Sequence, residues 1–365
     1  MMKSLHIKNF KNFKELTIDR LGRVNLIVGK NNAGKSSLLE AISIYISNGE
    51  ENWLRTLLAD RGEAIRDNDG NEAYAENVKR HYISLFSGWE ENYNKDYEMV
   101  FGTNENEEIP VRISQVYIRE GKDISSTQIE AYHENDIGVH VDRSSITSAG
   151  LLVSSGTQSY IIPYYKKRSY LNVFPEKCPF QHIPIYMIDR MANAKLFDNI
   201  SLSPDEDYVL DALRIINPAI NRIRFIDTNE GRSSERIAVV TIVGSDQRFR
   251  LSSMGDGINR VLTIILALLN CKNGVLLLDE FETGLHYSVQ DQLWNIIFML
   301  SEKLNVQVFV TTHSNDCLNS FAKMNKQGMG HLIRLAFNEE GNIVPTVFDN
   351  NEDLRFASYN SIEMR

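Results

Sequence analysis

Apolar and polar positions alternate at the start of the chain, through Leu5-His6-Ile7-Lys8-Asn9-Phe10 and again through Leu16-Thr17-Ile18. That rhythm predicts two short strands joined by a turn at Lys11-Asn12-Phe13-Lys14. The apolar run Val24-Asn25-Leu26-Ile27-Val28 reads as a third strand, and the chain then becomes helix-like from about Lys35 to Ser47. A polar, helix-like region extends to about residue 88. From Tyr97 to Tyr165 the pattern changes to strand-like pieces, Val111 to Ile118 and Ile137 to Val141 among them, cut by Gly, Asn, Asp and Ser turns. An antiparallel lobe inserted into a larger core is the expectation.

The core pattern resumes near Pro184-Ile185-Tyr186-Met187-Ile188-Asp189. Ser203-Pro204-Asp205-Glu206 has the form of a helix start, with Ser203 as cap, Pro204 in the first position and Glu206 completing a capping box, for a helix ending at Ile216. A hairpin from Arg236 to Val243 and Arg248 to Leu251 follows. Then come a helix from about Gly255 to Leu269, a buried strand Val275 to Leu278, a helix to about Leu304 and a strand Val306 to Val310. Such alternation predicts an α/β fold. A helix and a hairpin, Leu332 to Phe337 with Ile343 to Phe348, close the chain, and neither internal repeats nor a long heptad pattern appear.

Composition narrows the class. A chain of 365 residues can bury a large core. Cys178, Cys271 and Cys317 are far apart and lack zinc spacing, so buried or idle thiols in a reducing compartment are expected. No apolar leader and no run near the ~18 apolar residues of a spanning helix is present, which leads to the expectation of a soluble, cytoplasmic protein that does not meet a membrane. The net charge of −9 argues against indiscriminate coating of nucleic acid, although a local basic groove can exist on an acidic protein. Three adjacent cations among aromatics at Pro163 to Tyr170, and the acidic cluster Asn104 to Glu108, read most simply as solvated loops.

Candidate chemistry begins at Gly29-Lys30-Asn31-Asn32-Ala33-Gly34-Lys35-Ser36-Ser37, between a strand and a helix. This is a P-loop in its strand–loop–helix setting. Gly29 and Gly34 let the backbone curl so that N–H groups face phosphate oxygens, Lys35 reaches the β and γ phosphates, and the Ser36 hydroxyl suits Mg²⁺. Gly274 to Glu280 is an apolar strand that delivers Asp279 and Glu280 at its end. One carboxylate for Mg²⁺ and a second to polarise water is what hydrolysis needs, since a metal-neutralised acid cannot also act as base. Val308-Phe309-Val310-Thr311-Thr312-His313 ends in a histidine placed to reach the γ-phosphate or the water. Ser252-Ser253-Met254-Gly255-Asp256 opens another helix and forms a second, weaker anion-binding surface.

Taken in order, these segments resemble the ABC-type ATPase heads of the SMC, RecF and OLD families, and most closely the AAA-family ATPases of OLD type that accompany bacterial anti-phage effectors. The resemblance covers roughly residues 1–48 and 183–365, which gives a domain reading of ATPase core 1–48, inserted helical and antiparallel lobe 49–182, and returning core 183–365. It implies an ABC-type P-loop head with a mixed or parallel core sheet and N-terminal antiparallel strands. Gly29 to Ser37 matches Walker A, Val275 to Glu280 Walker B, Glu282 to His286 the D-loop, Ser253 to Asp256 the signature and His313 the switch histidine.

By that resemblance Gly29, Asn31, Asn32, Ala33, Gly34, Lys35, Ser36 and Ser37, with Lys11 and Asn12, bind ATP; Ser36 and Asp279 hold Mg²⁺; Glu280, His313 and Lys35 are catalytic. Ser253 and Gly255 then act in trans, on ATP held by a second copy in a head-to-tail homodimer. Gln115, Gln128, Gln158 and Gln181 all remain open as the Q-loop glutamine. A transporter subunit is disfavoured, because Lys35 and Asp279 stand 244 positions apart and Leu251 to Gly255 is not an LSGGQ signature. Only 52 residues follow His313, too few for the C-terminal nuclease domain of OLD nucleases, so a nuclease or toxin effector is expected on a separate polypeptide. DNA is a further candidate partner.

Overall fold

The computed structural model describes residues 1–65, 72–90, 97–104, 109–120, 129–164, 175–185, 190–228, 235–245, 247–325, 328–350 and 353–354. In chain order the elements are β1 (Leu5–Phe10), β2 (Phe13–Ile18), β3 (Val24–Gly29), α1 (Lys35–Ile46), α2 (Glu51–Ala59), α3 (Glu72–Ile83), β4 (Glu98–Gly102), β5 (Val111–Glu120), β6 (Ile129–Tyr132), β7 (Ser148–Ser155), β8 (Gln158–Pro163) and β9 (Phe180–Ile183). They continue with α4 (Arg190–Ile200), α5 (Glu206–Ile216), β10 (Ile220–Thr228), β11 (Glu235–Ile242), β12 (Arg248–Arg250), α6 (Asp256–Leu269), β13 (Val275–Leu278), α7 (Tyr287–Lys303), β14 (Gln307–Thr311), α8 (Asn315–Met324), β15 (Gly330–Phe337) and β16 (Ile343–Phe348).

A six-stranded sheet of order β16-β15-β3-β14-β13-β9 is the frame of the site. Every pairing in it is parallel except β15 with β16. Its central strands are apolar on both faces, as strands covered on both sides must be. Alternation sorts their residues between two cores: Val24, Leu26, Leu276, Leu278, Val308 and Val310 pack toward the layer of α4 to α8, while Ile27, Val275, Leu277, Phe309 and Ile333 pack toward α1. The P-loop helix is thereby sealed between this sheet and a second one.

That second sheet has the order β2-β1-β4-β5-β7-β8, with β6 also on β5, and is antiparallel throughout. Its first two strands belong to the N-terminus and the rest to residues 98–163, so the inserted strands extend the N-terminal ones edge to edge through β1 and β4. Leu5, Ile7 and Phe10 share one core with Met99, Phe101, Ile113 and Val153.

Several sequence expectations shift. Ile137 to Val141 is a turn rather than a strand, because Gly138 is left-handed at φ +85° and Asp136 O accepts from both His140 N and Val141 N. The helix expected from Ser203 starts instead at Glu206. Ser203 Oγ donates to Ile200 O at 2.6 Å, and the Glu206 carboxylate accepts from Leu202 N, closing a turn ahead of the helix. The returning core strand is Phe180–Ile183, a little before Pro184, and residues 186–189 lie outside the described residues, as do 105–108 and 165–170 of the acidic and basic loops. The helix Arg190–Ile200 and the strand Ile220–Thr228 carried no sequence signal we read. Among the described residues no helix is long and apolar enough to cross a membrane.

Candidate functional site

Parallel pairing brings the C-terminal ends of β3, β14 and β13 side by side, with Val310 beside both Leu26 and Leu278. Ligand sites in parallel α/β sheets form at this edge. It carries the P-loop after Gly29, Thr312-His313 after β14, and Asp279-Glu280 after β13. An open cavity of about 440 Å³ is lined by Asn31, Asn32 and Gly34 through Ser37, by Asn12 of the β1–β2 turn, and by His313.

The P-loop conformation follows from its glycine at 34. Gly34 has φ +86°, and a Cβ there would stand 2.7 Å from the Phe13 ring and 2.9 Å from Asn12 Nδ2. The loop is thus pressed beneath the β1–β2 turn, where Asn12 also donates to Asn32 O at 3.1 Å. Gly34 caps α1 with no side-chain bond, and no acid stands in the first helical turn, so the helix's first N–H groups face the cavity. Ala33 and Lys35 are buried, Ser36 and Ser37 half-buried, and Asn31 and Asn32 exposed. Lys35 Nζ donates to Gly29 O at 2.8 Å and Lys30 O at 3.0 Å. Burial lowers its pKa, opposed by the carboxylates of Asp279, Glu280 and Glu282.

Lys11 departs from the expected nucleotide contact. Its amine pairs with the Glu40 carboxylate, under α1, and is nearly inaccessible. Arg61 makes a bidentate contact with the same Glu40, with Nη2 at 2.7 Å from both oxygens. Lys11 therefore ties the β1–β2 turn to the P-loop helix.

At the end of β13, Asp279 is 6% exposed and accepts a hydrogen bond from Thr311 Oγ1. Thr311 Oγ1 also receives Glu280 N at 2.8 Å. Glu280 holds φ +48°, a sparsely populated region for a side-chain-bearing residue. Its Oε1 lies 3.5 Å from His313 Nε2, and its other oxygen accepts from Thr283 Oγ1 at 3.2 Å. Glu282 supports the histidine, accepting from His313 N at 2.7 Å and Thr312 Oγ1 at 2.6 Å. Arg260 on α6 donates to Asp279 O at 2.7 Å and Glu280 O at 3.0 Å. Thr311 and Arg260 escaped the sequence reading, and Glu282 was seen only as part of the D-loop: a threonine within an apolar strand, an arginine within an apolar helix and an acid in a turn carry no pattern of their own.

Ser253 and Gly255 are exposed and do not line the cavity. The short turn Leu251–Met254 ends at Gly255, φ +103°, with nothing within 4 Å of a Cβ placed there. Gly257 lies tightly under the D-loop, where a Cβ would meet Gly284 O at 2.8 Å. The residues expected to form the signature thus abut, in the same chain, those expected to form the D-loop. Of the glutamines, Gln181 stands in β9 beside β13, Gln115 and Gln158 are in the seven-stranded sheet, and Gln128 lies outside the described residues.

The donor set fits Mg²⁺. Among the described residues no group of three or more His, Cys, Asp or Glu is placed to hold a metal by itself. The Ser36 hydroxyl and the Asp279 carboxylate are hard oxygen donors of the kind Mg²⁺ takes beside nucleotide phosphates and water.

A P-loop at the edge of a parallel sheet, with paired acids and a histidine on the neighbouring strands, defines an ATPase of the AAA/ABC P-loop class. The chain belongs to the family described as "AAA domain, putative AbiEii toxin, Type IV TA system", which matches residues 24–318. It is 26% identical over 336 residues to the ATP/GTP phosphatase of Helicobacter pylori, covering 87% of this chain and 86% of that one. Its fold is similar to an Smc head bound to the C-winged helix domain of ScpA, with TM-score 0.54, 12% identity, and 97% and 99% of the two chains covered. A Pyrococcus furiosus Smc head bound to the C-terminal domain of ScpA gives TM-score 0.50 at 10% identity, over 98% and 99%. The expected likeness of fold to SMC-type ATPase heads is found.

Proposed function

We propose that this ATPase works as a head-to-tail pair, with each ATP held on the P-loop of one copy and closed over by Ser253 and Gly255 of the other. One observation carries the reading: the P-loop cavity is open, while the two signature residues are exposed and away from it in the same chain. Lys35, Ser36 and the N-terminus of α1 bind the phosphates, with Asn12 flanking the P-loop. Bound Mg²⁺ supplies charge neutralisation for the leaving and transferred phosphates, and Ser36 and Asp279 are its protein ligands. Glu280 takes the proton of the attacking water, and His313, whose Nε2 lies 3.5 Å from Glu280 Oε1, orients the water or the γ-phosphate. Pairing is then the output, and a separate nuclease or toxin held or released by the pair, as in anti-phage defence, is the effector. The family description, "AAA domain, putative AbiEii toxin, Type IV TA system", supports a toxin–antitoxin setting for the pair.

Mixing two dead variants tests the pairing. Lys35→Ala and Ser253→Arg are each inactive as homodimers, yet their heterodimer contains one intact composite site. Activity appearing on mixing is the expected result. An inactive mixture, or a Ser253→Arg chain that hydrolyses ATP normally alone, overturns the trans assignment.

A further inference from the structure

Strands β10, β11 and β12 form a separate antiparallel sheet with two unlike faces. Ile223, Val240 and Phe249 stand in one cross-strand row on the face that covers the helical core. The register puts Arg222, Thr241 and Arg248 in one row of the opposite face, and Arg224, Val239 and Arg250 in the next. All four arginines are exposed. Same-face neighbours along a strand are about 6.8 Å apart, and β10 lies about 9.5 Å from β12, so the four stems form a compact grid. Neither row contains a carboxylate, on a chain whose net charge is −9.

Two details show how the grid is built. Val239, between Arg224 and Arg250, is only 8% exposed, as expected beneath arginine stems. The Thr241 hydroxyl, between Arg222 and Arg248, is buried with no hydrogen-bond partner among the described residues. Arg224 is partly engaged by Glu206 at the margin of the face. Beyond Arg250 the chain enters the signature turn, and Ser253 Oγ donates to Arg250 O at 2.7 Å.

We propose that this face binds the sugar–phosphate backbone of a nucleic acid without reading its bases. Guanidinium forks match phosphate oxygens, and the grid spacing is of the same order as that of successive phosphates on a strand. An acidic protein surface is the rival occupant. Protein interfaces gain most of their affinity from apolar or aromatic anchors at the centre, and here the centre is Thr241 and the covered Val239. The proposal is independent of ATP pairing, so its test omits nucleotide.

Fluorescence anisotropy is measured with a labelled DNA duplex of about 30 base pairs, an RNA strand of similar length and polyglutamate, from about 50 to 200 mM salt. Wild type is expected to bind nucleic acid with salt-sensitive affinity, and the tighter of the two probes identifies the source. In the Arg222→Gln/Arg248→Gln double variant the log–log salt slope falls by about 1.8 for duplex or about 1.4 for a single strand, and affinity drops at least ~10-fold. The Arg222→Lys/Arg248→Lys variant keeps most of the slope, and basal ATPase activity is unchanged in both. No binding of either nucleic acid at low salt, or an unchanged slope in the Gln variant, overturns the proposal. So does polyglutamate binding as tightly as nucleic acid, which assigns the face to an acidic protein.

Discussion

The guanidinium of Arg260 donates to the carbonyl oxygen of Glu280 at 3.0 Å and to that of Asp279 at 2.7 Å. Arg260 is 2% exposed on α6, whereas Glu280, just beyond β13, holds φ +48°. A left-handed backbone at a non-glycine residue is held only where its surroundings over-determine it, at about 1–3 kcal/mol. One buried side chain thus fastens α6 to the strained segment after β13 that bears the proposed base.

Arg260→Met is expected to lower kcat about 100-fold, because Glu280 loses its fixed position, while ATP affinity stays within a few-fold. A buried carbonyl and a partly buried one lose a charged donor, so stability should fall by about 2–4 kcal/mol. Single-turnover hydrolysis beside nucleotide titration separates the effects, and Arg260→Lys, which keeps a donor, should recover part of the rate. A variant that melts earlier yet turns over at the wild-type rate makes Arg260 structural only.

Glu282 accepts two hydrogen bonds at once, from the His313 backbone and the Thr312 hydroxyl. Glu282→Gln offers one acceptor oxygen in place of two, so the loop after β14 should loosen and the rate fall about 10-fold or more. Because the loss acts through His313, combining it with His313→Ala should cost little beyond His313→Ala alone. The check is a double-mutant cycle on kcat. Additive losses would detach Glu282 from the histidine.

The legible parts of this molecule were those that a local pattern encodes. Gly29 to Ser37 needs only strand, loop and helix, and Val275 to Glu280 only an apolar run ending in acids; the structure has β3, a loop and α1 at the first and β13 followed by the two acids at the second. Pairings across long separations were not legible. Nothing around Lys11 says that its amine meets Glu40, which Arg61 also holds, nor that β4 would extend β1 instead of forming a sheet of its own. Strand β10 was missed because Asn221, Arg222, Arg224 and Asp227 dilute its apolar content, and its alternation has meaning only once β11 covers one edge.

Glu40 has two cationic partners, Lys11 and Arg61, and is 8% exposed. Glu40→Ala leaves a nearly buried ammonium unpaired, which costs about 3–5 kcal/mol. The β1–β2 turn that overlies Gly34 is also released, so ATP binding should weaken several-fold even where the variant is still folded. Glu40→Gln, of nearly the same shape, should lose less stability. Urea unfolding and nucleotide titration of the two variants check this, and full ATP affinity in Glu40→Ala would break the link between the network and the P-loop.

His182 stands in β9 opposite Leu277 of β13, with its ring edge-on to Trp53 at 5.9 Å. Burial pushes its imidazole from 6.5 down to about 4, against the opposing pull of Asp279. The folded protein keeps it neutral between those values while the unfolded chain protonates. The unfolded state therefore binds more protons in that window, so this group's contribution is fully present above pH 6.5 and is lost as pH falls toward 4. Between pH 7.5 and 5 the loss amounts to about 2 kcal/mol for a displacement of this size. His182→Gln cannot charge, so its stability relative to wild type should improve by about that amount on moving from pH 7.5 to 5. Urea unfolding of both proteins at the two pH values decides it, and a gap that does not change with pH would mean that the imidazole is solvated in the folded state.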